Sequence, residues 1–267
     1  MKNSREEWYD ASAKVAVTIA DVTDAAQALV RGHLCGPTSG HFLAKALAAA
    51  ALLGAETSEK DETLILQMKC KGPLGGFNVE CTSAGTLRGY TEKKTLDEFD
   101  GLGVPDSKKV VGERQLQVTR SVPGRIISQG ISSSLDGYLA GSLQRRARVF
   151  VEASVSDDAE VLEARGVMVE ALPDSALAIS EVVAPLDEAM LKRAGVLAAA
   201  PRTIISKLGL SHAELRRTTP LSFACRCSPE RAAAMVAALG EKERESLPPA
   251  IDVTCHMCGR TFAVRTR

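Results

Sequence analysis

The sequence has no apolar run approaching the roughly 18 uncharged residues needed to cross a bilayer. Its opening, MKNSREEWYDASAK, lacks the basic start and apolar core of a secretory signal. It has no excess of charge of either sign. Its 33 Lys and Arg are matched by 33 Asp and Glu, so no global field draws the chain to nucleic acid or to an anionic membrane. Internal repeats and low-complexity tracts are absent. The glycine-rich stretches GPTSGH and KGPLGG do not match the phosphate-binding pattern G-x-x-x-x-G-K-S/T, so both read as turns and no ATP site is expected. Together these absences indicate a soluble protein of a reducing compartment, expected to be cytoplasmic, where paired cysteines read as metal ligands or redox groups before structural disulfides.

The chain does have apolar material, 45% of 267 residues, which suits one large domain or a medium one with a small companion. Residues 14–19 alternate as in a short strand, and VTDAAQALVRG predicts a helix capped by Thr23 or Asp24 and stopped at Gly32. A second helix, HFLAKALAAAALLG, is expected after a cap at Thr38 or Ser39 and ends at Gly54, its alanines implying close packing. TLILQMKC, FNVECT and TLRGYTEK, separated by the turns KGPLGG and SAG, predict a three-strand meander. RQLQVTRSV and GRIISQGIS form a hairpin about Pro123 and Gly124, SSSLDGYLAGSLQRRA reads as a helix, and RVFVEASV and VMVEAL read as strands. This mixture predicts an α+β fold, with an antiparallel-sheet domain and packed helices over residues 1–175.

From Ala176 the chain is rich in Ala and Leu but interrupted at Pro185, Gly195, Pro201 and Gly209, which predicts a linker of short helices over 176–218. Residues 219–267 are expected to form a small C-terminal metal-binding domain. Ser228 caps and Pro229 opens the helix PERAAAMVAAL, Gly240 stops it, and IDVTC and RTFAV make a hairpin with Cys255 and Cys258 in its turn.

Four of the seven cysteines stand in this last unit as two tight pairs, Cys225 and Cys227, then Cys255 and Cys258 after 27 intervening residues. A CxxC turn followed by Gly259 aims two sulfurs at one point, and Cys225 and Cys227 supply two more from a second loop. Four thiolates close a tetrahedral shell with no open position for water, so hydrolysis is excluded and no catalytic residue is assigned; the protein is read as no enzyme. A soft four-sulfur shell suits zinc or iron, and a single Zn2+ is the expected occupant. His256, inside the turn, reads as a solvent-facing loop residue. A unit of 49 residues lies near the size at which a core alone fails. Structural zinc supplies about 10–16 kcal/mol of apparent binding energy, so metal loss is expected to unfold the unit. Thiolates are also what peroxide and hypochlorous acid oxidise, and sulfurs joined in a disulfide cease to be good ligands, which couples oxidation to metal release.

The order CxC, 27 residues, CxxC near the C-terminus resembles the heat-shock protein 33 family, redox-regulated chaperones also called 33 kDa chaperonins. FACRCSPERAAAMVAALGEKE and IDVTCHMCGRTFAV resemble the entry and exit of that family's zinc domain, and LAAAALLGAE, ETLILQMKCKGPLGGFNVECTSAGTLRGY and GVMVEALPDS resemble its substrate-binding domain in order and spacing. The resemblance implies an ATP-independent holdase, inactive when reduced and zinc-bound. It implies that Cys225, Cys227, Cys255 and Cys258 bind the zinc and that oxidation pairs Cys225 with Cys227 and Cys255 with Cys258. Zinc release, unfolding of the C-terminal domain and linker, binding of unfolded client proteins and possible homodimer formation would follow. Composition and resemblance together place client binding on linker residues Leu191, Val196, Leu197, Ile204, Ile205 and Leu208, expected to pack on the N-terminal sheet until the zinc domain melts.

Two other readings fit the cysteines less well. A zinc-ribbon nucleic-acid binder would need positive charge, but residues 219–267 carry seven basic and five acidic side chains, and a four-thiolate zinc centre cancels the surplus. A thiol-disulfide oxidoreductase would place CxxC at a helix start after a strand, whereas here it lies between strands. Cys70 and Cys81 flank a hairpin and are expected either to face each other across it or to fill sheet and core, as is Cys35. Arg145, Arg146 and Arg148 stand where the family usually has a polar segment, and are expected to form a solvated charged face.

Overall fold

The helix Pro37–Leu53 is buried on nearly every side, and its run of alanines lets neighbouring backbone approach closely. In the computed structural model, which describes residues 2–191 and 195–266, this helix lies between two sheets. In chain order the elements begin with β1 (Ser4–Asp10), β2 (Val15–Asp21), α1 (Thr23–His33), α2 (Pro37–Leu53), β3 (Thr63–Cys70), β4 (Gly76–Thr82) and β5 (Thr86–Thr91). Next come α3 (Ser107–Val110), β6 (Arg114–Val122), β7 (Arg125–Ser132), α4 (Leu135–Ser142), β8 (Arg146–Val155) and β9 (Val161–Ala171). The remainder is α5 (Ile179–Leu191), a 3-10 turn Val196–Ala198, α6 (Pro201–Lys207), β10 (Glu214–Pro220), β11 (Ser222–Phe223), α7 (Pro229–Ala237), α8 (Glu241–Glu245), β12 (Ala250–Thr254) and β13 (Thr261–Arg265).

The first sheet runs β10-β1-β2-β9-β8 and is antiparallel throughout. The second runs β11-β5-β4-β3-β6-β7, antiparallel except at the short β11 and β5 contact. A separate hairpin joins β12 to β13. The architecture is α+β, as the mixture of hairpins and helices predicts; the expected meander and the β6–β7 hairpin form, and the two further strands expected after α4 pair with each other as β8 and β9.

Alternation along the first sheet feeds two cores. In β9, Met168 turns toward α2 while Val167 and Val169 turn the other way, where they meet Trp8, Val17 and Ile19 beneath α5 and α6. Of the linker residues singled out, Leu197, Ile204, Ile205 and Leu208 are buried in this second core. The side chains of Leu191 and Val196 lie outside the described residues. Polar ties hold the same layer: Arg165 donates to the carbonyls of Leu197 and Ala198 at 3.2 and 2.7 Å, Arg148 pairs with Asp187 at 2.9 Å, and the Arg202 guanidinium lies 4.8 Å from the Trp8 ring centroid.

Several elements depart from expectation for physical reasons. β1 gave no apolar alternation because one of its inward positions is Arg5, fully buried and satisfied by Glu7 and the carbonyl of Ala51 at 3.0 Å. β10 was equally hidden: its charged ELRRTT run is the pattern of an exposed edge strand, and the expected linker boundary at 218 falls inside it. Neither Thr23 nor Asp24 caps α1; the Asp21 carboxylate accepts from the Thr23 amide at 3.1 Å, and the helix passes Gly32 to end at Leu34 in the left-handed region. GPTSGH is no turn but the start of α2, with Gly36 before Pro37 and the Thr38 amide donating to Asp100 across the fold at 2.8 Å. Pro185 does not break α5, since it sits on the exposed side of a helix anchored by Val182, Val183 and Leu186.

The helix expected through Ala147 stops at Ser142, and the arginines that follow form ties: Arg145 and Arg148 are half-buried rather than a solvated face, while Arg146 stays exposed as expected. Arg145 bridges Glu56 and Glu170, Arg148 bridges Asp136 and Asp187, and Arg146 donates to the carbonyls of Pro173 and Ser175 at 3.2 and 3.3 Å. The sequence hid this because the partners lie far along the chain.

His41 on α2 is buried and held neutral. Burial and the ammonium of Lys45 push its pKa down to about 4, against a hydrogen bond with the backbone of Ala153. The unfolded chain binds a proton there near 6.5, so this contribution to stability is complete above that pH and is lost as pH falls toward 4. The loss is on the order of 3 kcal/mol. Urea midpoints measured between pH 7 and 4.5 should drop accordingly, and His41→Gln should flatten that part of the profile; an unchanged slope in the variant would reject the assignment.

Candidate metal centre

The strand β11 lies along β5, with the Ser222 amide donating to Gly85 at 3.1 Å and the Ala224 amide to Leu87 at 3.2 Å, and this register delivers Cys225 and Cys227 to the end of the second sheet. The chain then enters α7, where the Ser228 hydroxyl accepts from the Arg231 amide at 3.3 Å and Pro229 takes the first helical position, both as expected. The second arm is the turn between β12 and β13. Gly259 adopts φ 73°, and the Cys255 carbonyl accepts from the amides of Cys258 and Gly259 at 3.3 and 2.9 Å, curling the turn so that both sulfurs face the first arm.

The structure brings the four predicted cysteines together. Their sulfurs all lie within 4.8 Å of one another, with Cys225 to Cys255 at 3.7 Å and Cys227 to Cys258 at 3.5 Å. A tetrahedron with metal–sulfur bonds of about 2.3 Å has sulfur–sulfur edges of about 3.8 Å. The donor set, its soft chemistry and its spacing therefore fit a closed four-sulfur metal site. None of the seven cysteines is joined in a disulfide.

Cys258 is buried and the other three are half-buried. Burial opposes ionisation of Cys225, but the Cys227 amide and the Arg88 guanidinium, 3.9 Å away, outweigh it and draw the thiol down to about 7. Burial and neighbouring thiols push Cys227 and Cys258 up.

The centre is seated against the two-sheet body by contacts that sequence reasoning missed. An ideal Cβ on Gly32 of α1 would lie 2.6 Å from the Cys258 carbonyl oxygen, and one on Gly259 would lie 1.9 Å from the Gly32 oxygen, so the two backbones touch where only glycine fits. The Gly89 amide donates to Met257 at 3.0 Å, and the Gly89 carbonyl meets His33 Nε2 at 2.9 Å. Glu80 accepts from Arg88 at 2.6 Å and lies 3.4 Å from Arg226. His256 is exposed, as expected, with its ring set edge-on to Tyr90 at 4.5 Å. Nothing local marks these residues, because each matters only through a partner far along the chain.

The other cysteines stay apart. Cys81 stands opposite Leu64 and Cys70 opposite Arg114, at different ends of β3, so the two do not face each other across the hairpin. Cys35 is buried, as a core residue should be. KGPLGG is the turn between β3 and β4, closed by the Cys70 amide on Gly75 at 3.0 Å.

Fold and centre define an α+β protein of two sheets about a buried helix, with a four-cysteine centre docked at one end. A family model described as Hsp33 protein matches residues 8–265, and the chain belongs to that family. Relatives named 33 kDa chaperonin include one from Symbiobacterium thermophilum, 31% identical and covering 87% of this chain and 84% of its own length. Another, from Lacticaseibacillus paracasei, is 30% identical, with 91% of this chain and 88% of that one covered. The crystal structure of a 33 kDa chaperonin (heat shock protein 33 homolog) from Thermotoga maritima has the same fold, with a TM-score of 0.86 at 19% identity over 100% of this chain and 96% of that one. No helix among the described residues is long and apolar enough to cross a membrane.

A side chain at Gly32 should lift the CxxC turn from the body. Gly32→Ala is expected to speed hydrogen exchange at the Gly89 amide by roughly tenfold or more, the sign of 1–2 kcal/mol lost locally, with α1 intact by circular dichroism. Unchanged exchange at Gly89 would mean that the contact does not seat the turn.

Proposed function

We propose that this chain is a redox-regulated, ATP-independent holdase whose four clustered cysteines are both its metal site and its oxidant sensor. The observation that carries the reading is the gathering of four free sulfurs within 4.8 Å in a member of the Hsp33 family. Cys225, Cys227, Cys255 and Cys258 would hold one Zn2+, which when bound supplies the cross-link that the small C-terminal core lacks. Among the described residues that core gathers Ala232, Val236 and Val264, all buried, with Ile251, Val253 and Phe262 packed against them.

Oxidation consumes the ligands. Cys225 with Cys227, and Cys255 with Cys258, each give two electrons to a peroxide or hypochlorous acid, forming one sulfur–sulfur bond per pair while the oxidant is reduced to water or to chloride and water. Sulfurs so joined no longer serve as ligands, and the C-terminal unit loses its fold. The turn that leans on Gly32 and Gly89 then leaves the body, and the linker, which runs into β10 and on to Cys225, is loosened on its face while β10 still holds its end. Leu197, Ile204, Ile205 and Leu208 are then the apolar surface offered to unfolding clients, together with the Trp8 and Val169 face they now cover. Leu191 and Val196 complete the proposed set, and a homodimer is the proposed oxidised assembly. A reducing cytoplasm suits this cycle, since it keeps the thiols reduced until oxidant enters.

The test is light scattering from a denaturant-unfolded client diluted without ATP into zinc-loaded reduced protein or into protein pre-treated with peroxide. Only the oxidised form should suppress aggregation, with one zinc released per chain and increased binding of a dye for apolar surface. Cys258→Ser should bind zinc at least tenfold more weakly and suppress aggregation without oxidant. Equal suppression by both forms of the parent protein would remove the switch, and suppression by neither would remove the holdase.

A further inference from the structure

Packing between the sheets is incomplete at one place. A cavity of about 290 Å³ runs beside α2, where Ala46 and Ala49 present small side chains to β3, β6 and β8. Its walls are apolar, among them Phe42, Leu66, Met68 and Leu116, all buried residues that nonetheless face open space. Polar groups line it sparingly, and two of them are cations, Lys45 and Arg114. The one carboxylate in the lining, Asp136, is already committed to the Val149 amide at 2.8 Å and to Arg148 at 2.9 Å. Arg114 donates Nε to the Ser133 carbonyl at 3.1 Å and has no acidic partner among the described residues. Lys45 also lines a larger, more polar cleft of about 790 Å³ shared with His41, Glu152 and Glu163, so its ammonium marks the boundary between apolar and wet space. It forms no ion pair or hydrogen bond among the described residues, and Glu152 acts on it only at a distance.

An apolar chamber whose lining carries the Lys45 ammonium and, at its exposed edge, the Arg114 guanidinium, neither of them in an ion pair among the described residues, complements a ligand with an apolar body and one negative end. We propose that this cavity binds a medium-chain fatty carboxylate, its chain along Ala46 and Ala49 and its carboxylate drawn to Lys45 and Arg114. Burial already holds the Lys45 amine below the usual lysine range, and a bound carboxylate would relieve that strain on the ammonium. The chamber lies between the sheets, on the opposite side of the first sheet from the linker core, so occupancy is independent of the holdase reading.

The test uses the full chain, reduced and zinc-loaded, titrated calorimetrically with decanoate and with decanol. Decanoate should bind at a single saturable site and decanol at least tenfold more weakly. Lys45→Met and Arg114→Gln should each weaken decanoate several-fold or more while leaving decanol unchanged, so that either folded variant suffices. A nitroxide-labelled fatty acid should broaden the Met68 methyl resonance of the parent protein. No saturable binding, uptake at many sites, equal affinity for decanol, or undiminished decanoate affinity in a folded variant would each overturn the proposal.

Discussion

Four sulfur atoms, drawn from two loops that are distant in sequence, sit within 4.8 Å of one another, and the C-terminal unit of the chain is arranged to bring them there. β11 borrows the edge of β5 to place one pair, and the β12–β13 turn curls about Gly259 to place the other. The unit that results has a small core of its own, built on Ala232, Val236 and Val264, and leans on the body through the backbone of Met257, Cys258 and Gly259. Because Cys258 is buried against the body, a chemical event at the sulfurs is also a mechanical event at α1 and β5.

The body supplies a rigid seat for that event. α2 touches both sheets, and its small side chains bring them close enough that the second sheet extends to the cysteines while the first carries the linker on its opposite face. Charge ties at Arg145, Arg148 and Arg165 fix strand ends and linker turns to this frame. Such partly buried, multiply bonded arginines lose more on separation than exposed pairs do. The linker thus has a defined resting place, held by apolar contact with Trp8, Val17 and Val169 and by a few directed bonds.

The features legible in sequence were those whose cause is local. The meander, the hairpins, the Ser228 and Pro229 helix start and the paired cysteines all follow from residues within a few positions of one another. Hidden features had distant causes. β1 pairs in a sheet through an inward Arg5 that only Glu7 and Ala51 make tolerable, and β10 has no apolar side because it lies at an edge. Gly32 and Gly89 look like ordinary glycines until Cys258 and Met257 are set against them. Pro185 misleads in the other direction, because a helix docked on a sheet tolerates an exposed proline that would end a free one.

The pairing of β10 with β1 bears on how the linker behaves once loosened. β9 ends at Ala171 and β10 begins at Glu214, and both strands belong to the same sheet, so the segment between them is a closed loop rather than a free arm. Closing a loop of this length already limits its freedom, and its apolar residues remain at high effective concentration over the face they left. While β10 stays paired, return to that face is a unimolecular step whose rate does not depend on how much protein is present. On the proposed mechanism, a client held on that face would compete with the loop's own return.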